Sequence, residues 1–139
     1  MGDEFKDNSE EYEYLLVQAI RHGLRAVGMT AETYAKENCP VDTGYARNSI
    51  TYALSGETAD ISSYKADAGK NGEPPKTGEY SGTLGKIDDN YVAIGSNVEY
   101  FPFIEEGARG RKAYHTLRKA ATDHKDEYKQ LITDSIKNA

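Results

Sequence analysis

The sequence predicts an α+β fold: a small antiparallel sheet packed by a long N-terminal helix and a long C-terminal helix, with a long mobile loop between them. Three observations predict it. Apolar residues recur at three- and four-residue steps near both ends of the chain, the signature of one helical face. Short segments between them alternate apolar and polar residues, as half-buried strands do. Residues 65–90 hold neither period and carry Gly69, Gly72, Pro74, Pro75, Gly78, Gly82 and Gly85. At 139 residues the chain is the size of a single domain, 1–139.

The first helix is expected over residues 9–38, with Leu16, Ile20, Gly23, Val27, Ala31 and Tyr34 on one face. Asn8 or Ser9 can cap it, with Glu10 and Glu11 in its first turn. Residues 1–8 are then a flexible N-terminus. Cys39-Pro40 ends the helix, because proline disfavours the α conformation in the residue before it. Gly23 and Gly28 inside it mark a close packing contact or a bend. Residues 49–54 read as a strand, Ser55-Gly56 as a turn, and 58–64 as a weaker strand, together a hairpin. The glycine-rich 65–90 segment is a mobile surface loop or an arm that orders on a neighbouring subunit, and the sequence does not separate the two. Its Lys70, Pro74, Pro75, Lys76 and Tyr80 are candidate partner-contact residues. A strand at 91–95 and a short helix at 101–106 follow, with Pro102 suited to the first turn and Gly107 as the stop. After a basic tip, Arg109, Arg111 and Lys112, a last helix is expected over 114–137, buried through Leu117, Ala121, His124, Tyr128, Leu131 and Ile136.

Composition narrows the function. Leu, Ile, Val and Phe number only 23 of 139 residues, a thin core that eleven tyrosines supplement and that subunit contacts commonly complete. No apolar run approaches a membrane span, and the acidic N-terminus is not a signal peptide, so the chain is expected in a cytosol. One cysteine, Cys39, excludes an internal disulfide framework and reads as a packed thiol. The net charge of −6 argues against a tight wrap around nucleic acid. That charge is uneven: residues 1–14 carry six acids against Lys6, and residues 108–139 carry eight bases against four acids. This matches helix dipoles, and it also describes a molecule with two differently charged ends, suited to head-to-tail or ring packing.

Chemical motifs are few. Asp42-Thr43-Gly44 is the triplet of aspartic proteases, where two carboxylates share a proton, and Ala93-Ile94-Gly95 imitates a later element of the homodimeric retroviral type. The triplet here follows a long helix and a proline rather than a strand, so it reads first as a turn in which Asp42 takes the Asx position and Gly44 supplies positive φ. His22, His115 and His124 have no metal spacing, and no phosphate-binding glycine motif occurs, so no cofactor or metal is expected. Glu105 and Glu106 fall at the C-terminal end of a short helix, where the dipole disfavours anions, and call for a cationic partner, with Arg47 as the candidate.

Two stretches carry a resemblance. The first is Cys39-Pro40-Val41-Asp42-Thr43-Gly44, continued by Arg47, Ser49 and Ile50; the second is Ile94-Gly95-Ser96-Asn97-Val98-Glu99-Tyr100, continued by Pro102, Glu105 and Gly107, with Leu117-Arg118 and Ala120 beyond. In this order they resemble the tail-component family of tailed bacteriophages, the tail-completion or head–tail joining neck proteins of siphophage-like particles. The chain departs from the family at Ala46, where a bulky aliphatic is common, and at 114–119, where a Phe-Leu-Arg-Pro segment is common. The resemblance implies a non-catalytic virion protein at the head–tail junction, made in the host cytoplasm. It would form a ring of its own copies between a connector or head-completion protein and a tail-tube or tail-terminator protein. DNA would pass through without specific binding, and an acidic wall suits that. Val41, Asp42, Thr43, Gly44, Arg47, Gly95, Asn97, Tyr100, Pro102, Glu105 and Gly107 are then fold and assembly residues. The alternatives are the dimeric protease using Asp42 and a generic protein-interaction domain.

Overall fold

The computed structural model describes residues 2–139, with side chains from residue 9 onward. Helix α1 (Gly2–Asn38) is the longest element and spans roughly 55 Å at 1.5 Å per residue. It begins upstream of the expected Asn8 or Ser9 cap, in a stretch where no Gly or Pro interrupts residues 3–22. The flexibility expected of residues 1–8 concerns Met1 and side chains that lie outside the described residues. Next come α2 (Tyr45–Ser49) and β1 (Thr51–Leu54), then β2 (Ser63–Lys65) and β3 (Thr77–Glu79). A 3-10 turn at Ile87–Asp89 leads to β4 (Val92–Gly95), followed by α3 (Phe101–Glu106), α4 (Thr116–Thr122) and α5 (Lys125–Lys137).

The class is α+β as expected, but the strands pair differently. The expected hairpin of 49–54 with 58–64 does not form. β1 pairs antiparallel with β4, setting Tyr52 opposite Ile94 and Leu54 opposite Val92, and β2 pairs with β3. Apolar cross-strand neighbours reward the first pairing, whereas 58–62 offers only the weak alternation of Ala59 and Ile61. β3 and the 3-10 turn both lie inside residues 65–90, which therefore hold regular structure that the glycines concealed.

α1 lies against α5, α4 and the β1–β4 sheet. Val27, Ala31 and Tyr128 fill one cluster, Leu24, Tyr52 and Leu54 a second, and Ala35, Ile50, Phe101 and Ala120 belong to a third. Ile94 packs against all three. Both helix glycines mark close approaches: a Cβ on Gly28 would sit 2.6 Å from a Tyr52 ring carbon, and one on Gly23 would sit 3.0 Å from the Ile132 Cα.

The expected single last helix is broken at Asp123-His124. His124 stacks flat on Tyr34 of α1, ring centres 3.5 Å apart, and the Tyr128 hydroxyl donates to the Ala120 carbonyl, the acceptor that a continuous helix would assign to the His124 N–H. The start of α4 also differs from the expected Tyr114. Tyr114 and His115 instead donate their N–H groups to the Ile104 and Glu105 carbonyls, 2.9 and 3.0 Å away, leaving α4 to begin at Thr116.

Candidate functional site

Gly44 takes φ +84°, so the chain turns sharply after Pro40 and enters α2. The turn meets the 66–76 loop: the Thr43 carbonyl accepts from the Asp67 N–H at 2.7 Å, and the Asp42 carboxylate pairs with the Lys70 ammonium at 2.7 Å. That neighbour raises the Lys70 ammonium above its ordinary value. Between them lies a cleft of about 510 Å³. Val41, Asp42, Thr43 and Gly44 line one side, Lys70, Pro74 and Lys76 another, and Tyr100 and Ile104 close it. Pro75, expected with them, is exposed and does not line the cleft. The cleft presents the Asp42 and Glu73 carboxylates, two ammonium groups and the Tyr45 and Tyr100 rings. The Lys76 ammonium sits 4.8 Å above the Tyr45 ring centre.

Behind the cleft is a polar latch. Arg47 pairs with Asp67, and the Asn48 amide donates to the same carboxylate and to the Lys65 carbonyl, each at 2.8 Å. The Asn48 amide and the Arg47 guanidinium together hold the Asp67 carboxyl below its usual range. Arg47 is therefore not the partner of Glu105 or Glu106. Glu105 instead receives the Leu117 and Arg118 N–H groups at 2.8 and 2.9 Å, anchoring the exposed donors at the start of α4, and Glu106 pairs with Arg118 at 3.0 Å.

The second motif meets the first through tyrosines. Asn97 accepts from the Tyr64 hydroxyl, donates to the Glu79 carbonyl at 2.8 Å and gives its backbone N–H to the Tyr80 hydroxyl at 3.2 Å. Tyr80 in turn donates to the Ser49 carbonyl, and the Ser49 and Ser96 hydroxyls lie 2.5 Å apart. Burial raises the Tyr64 and Tyr80 hydroxyls above their ordinary values. Gly95 ends β4 opposite Thr51, and Pro102 lies in the first turn of α3. Gly107 closes α3 with φ +78°, its N–H on the Phe103 carbonyl at 2.9 Å.

Compared with protein-family models, curated proteins and solved structures, the chain matches none.

Arg109, Arg111 and Lys112 form a tight turn, bridged between Ala108 and Arg111, that borders a second groove. Glu105, Glu106 and His115 bring one ligand-type atom each within 4.8 Å of one another, with the Glu105 oxygens already taken by amides and Glu106 by Arg118. Cys39 is packed as expected, and burial pushes its thiol up to about 11. Among the described residues no helix is long and apolar enough to cross a membrane.

Two residues of this geometry, and one that braces the body away from the cleft, carry no motif. Asp67 sits in the aperiodic loop, and Tyr45 lies in a five-residue helix too short for a period. Arg21 is buried beside β1, its guanidinium on the Ser55 carbonyl and the Glu57 carboxylate, both at 2.9 Å. Its signal was available: Val17, Arg21, Leu24 and Gly28 share one helical face, and a charge on such a face calls for a buried partner.

Proposed function

We propose that the chain is a structural protein of the neck of a siphophage-like particle, a tail-completion or head–tail joining protein. It assembles as a ring between connector and tail tube and catalyses nothing. The observation that carries this reading is the convergence of its two motifs. Residues 39–50 and 94–107 stand far apart in the chain, yet Asp42 and Tyr100 line one cleft and Ser49 meets Ser96 at 2.5 Å. An ordered motif pair that folds into one surface supports a shared assembly role. The Asp42 carboxylate faces Lys70 in this chain, an arrangement suited to fixing the loop. On this reading the connector or head-completion protein contacts one face of the ring and the tail-tube or tail-terminator protein the other. Genome DNA slides past a chain of net charge −6 without specific contacts. The protein is made in the host cytoplasm and ends at the head–tail junction of the virion.

Electron microscopy of the purified chain, alone and mixed with the connector and the tail-tube protein of a siphophage-like particle, tests the reading. Ring particles or stacked co-assemblies are expected. Peptide cleavage that Asp42→Asn abolishes would overturn it in favour of the dimeric protease, and failure to join either neighbour would overturn it in favour of an unrelated interaction domain.

A further inference from the structure

Every residue from 9 to 18 of α1 is exposed, and the first buried position among the described side chains is Ala19, whose carbonyl accepts the Ser135 hydroxyl near the end of α5. The helix therefore overhangs the body. The overhang is not polar. Tyr12, Tyr14, Leu15, Leu16 and Val17 stand there at 74, 64, 53, 41 and 37% exposure. Tyr12, Leu15, Leu16 and Ala19 follow the i, i+3, i+4, i+7 pattern, so the face that packs on the body from Ala19 onward continues into solvent uncovered. The same ten residues carry Glu10, Glu11 and Glu13 and no base.

The complementary surface lies at the other end of the helix. Just beyond Asn38 a groove of about 850 Å³ is floored by Pro40, Tyr100, Phe103 and Ile104, with Phe103 61% exposed. Its rim is Arg109, Arg111 and Lys112, which have no carboxylate partner among the described residues. The nearby acids are engaged, Glu105 by the amides of α4 and Glu106 by Arg118. An apolar ridge with three acids thus stands at one end of α1, and an apolar groove with three bases at the other. The middle of the overhang and the end of the helix are separated by about 24 residues, or roughly 36 Å of helix, so the two surfaces of one molecule do not meet.

We propose that the α1 overhang, residues 9–18, docks into the Pro40–Phe103 groove of a second copy of this chain. The contact is heterologous and head-to-tail, and such contacts close into rings or run on as filaments according to the rotation between copies. Tyr12, Leu15 and Leu16 supply the apolar contact, and Glu10, Glu11 and Glu13 oppose Arg109, Arg111 and Lys112. Salt weakens the rim pairs, since exposed charges are screened. Closure of the chain of copies into a ring rests on the neck reading above; the contact itself rests on the two surfaces.

Sedimentation of the full chain and two variants tests it. One variant carries Tyr12→Glu with Leu16→Glu, and the other carries Phe103→Glu with Arg111→Glu; all four sites are exposed, and melting curves verify that both fold. The parent chain is expected to associate with rising concentration, and each variant alone to associate at least tenfold more weakly. An equimolar mixture of the two is expected to recover pairing that stops at two copies, because one intact overhang and one intact groove remain. A parent that stays monomeric up to about 1 mM overturns the proposal. So does association that either variant leaves intact, which would mark overhang-to-overhang pairing or another face, and so does association that needs an added tube protein. Rings that survive both variants overturn this contact and leave the neck reading standing. Head-to-tail pairing in a chain that joins neither connector nor tube does the reverse.

Discussion

The two strand pairs of this protein are held by different balances of burial and polar contact. β1–β4 is packed into the body: Tyr52 and Leu54 are buried with Leu24, and Ile94 joins all three apolar clusters. β2–β3 is a ledge that buries only Tyr64, against the Tyr45 and Tyr80 rings, and is tied down by polar contacts, with Tyr64 on Asn97, Tyr80 on the Ser49 carbonyl and Arg47 and Asn48 on Asp67. The contrast shows how a chain poor in aliphatics still positions a site. Area burial fixes the body, while directional hydroxyl and amide bonds place the loop against the cleft.

The sharpest way to break this contrast is Leu54→Ala. Leu54 is 1% exposed, and the loss is expected to reach about 2–5 kcal/mol by thermal or denaturant unfolding. Next comes Gly28→Ala, which overpacks the same body against Tyr52 and is expected to cost about 1–3 kcal/mol. On the ledge, Tyr64→Phe keeps the ring and removes the hydroxyl on Asn97; about 1 kcal/mol is expected, with loss of protection at the Tyr64 and Ala66 amides in hydrogen exchange. A ledge variant costing as much as Leu54→Ala would erase the distinction.

The smallest effect is a pH dependence. The Asp67 carboxyl is lowered in the fold by Asn48 and Arg47. Its contribution is therefore complete above the ordinary aspartate value near 3.9 and disappears as pH falls through the lower folded value. Arg47→Gln is expected to melt slightly below the parent at neutral pH, and the gap between the two melting temperatures is expected to close in acid. A gap that widens in acid would show that Arg47 acts through something other than Asp67.

The same contrast explains what was legible. The terminal helices and the β1 and β4 segments announce themselves because burial against a large surface imposes a period, as at Ile20, Gly23, Val27 and Ala31. Strand partners did not, because 92–95 competes with 58–64 for β1 through contacts far apart in the chain, and no local signal ranks them. β2 and β3 have three residues each, too few for alternation, and Gly78 in β3 resembles a loop residue. The break at His124 has neither Pro nor Gly to mark it and follows from a stack on Tyr34, in another helix. The position of Glu105 and Glu106 calls for a cationic partner, and only Glu106 has one, in Arg118; the partner of Glu105 is the backbone of α4, which no side-chain inventory contains. Of the cleft, Asp42 to Gly44 and Tyr100 can be named from their motifs and Tyr45 cannot; nor can Asp67 of the latch behind it.

The anchoring of α4 by Glu105 has a consequence for how this chain can diverge. Because that carboxylate holds the Leu117 and Arg118 amides while the Ile104 and Glu105 carbonyls hold Tyr114 and His115, both ends of residues 107–113 are pinned independently of what lies between. Changes of length or charge between Gly107 and Ala113 are therefore expected to leave the register of the last two helices unaltered, so that the basic tip and the two helices answer to substitution separately.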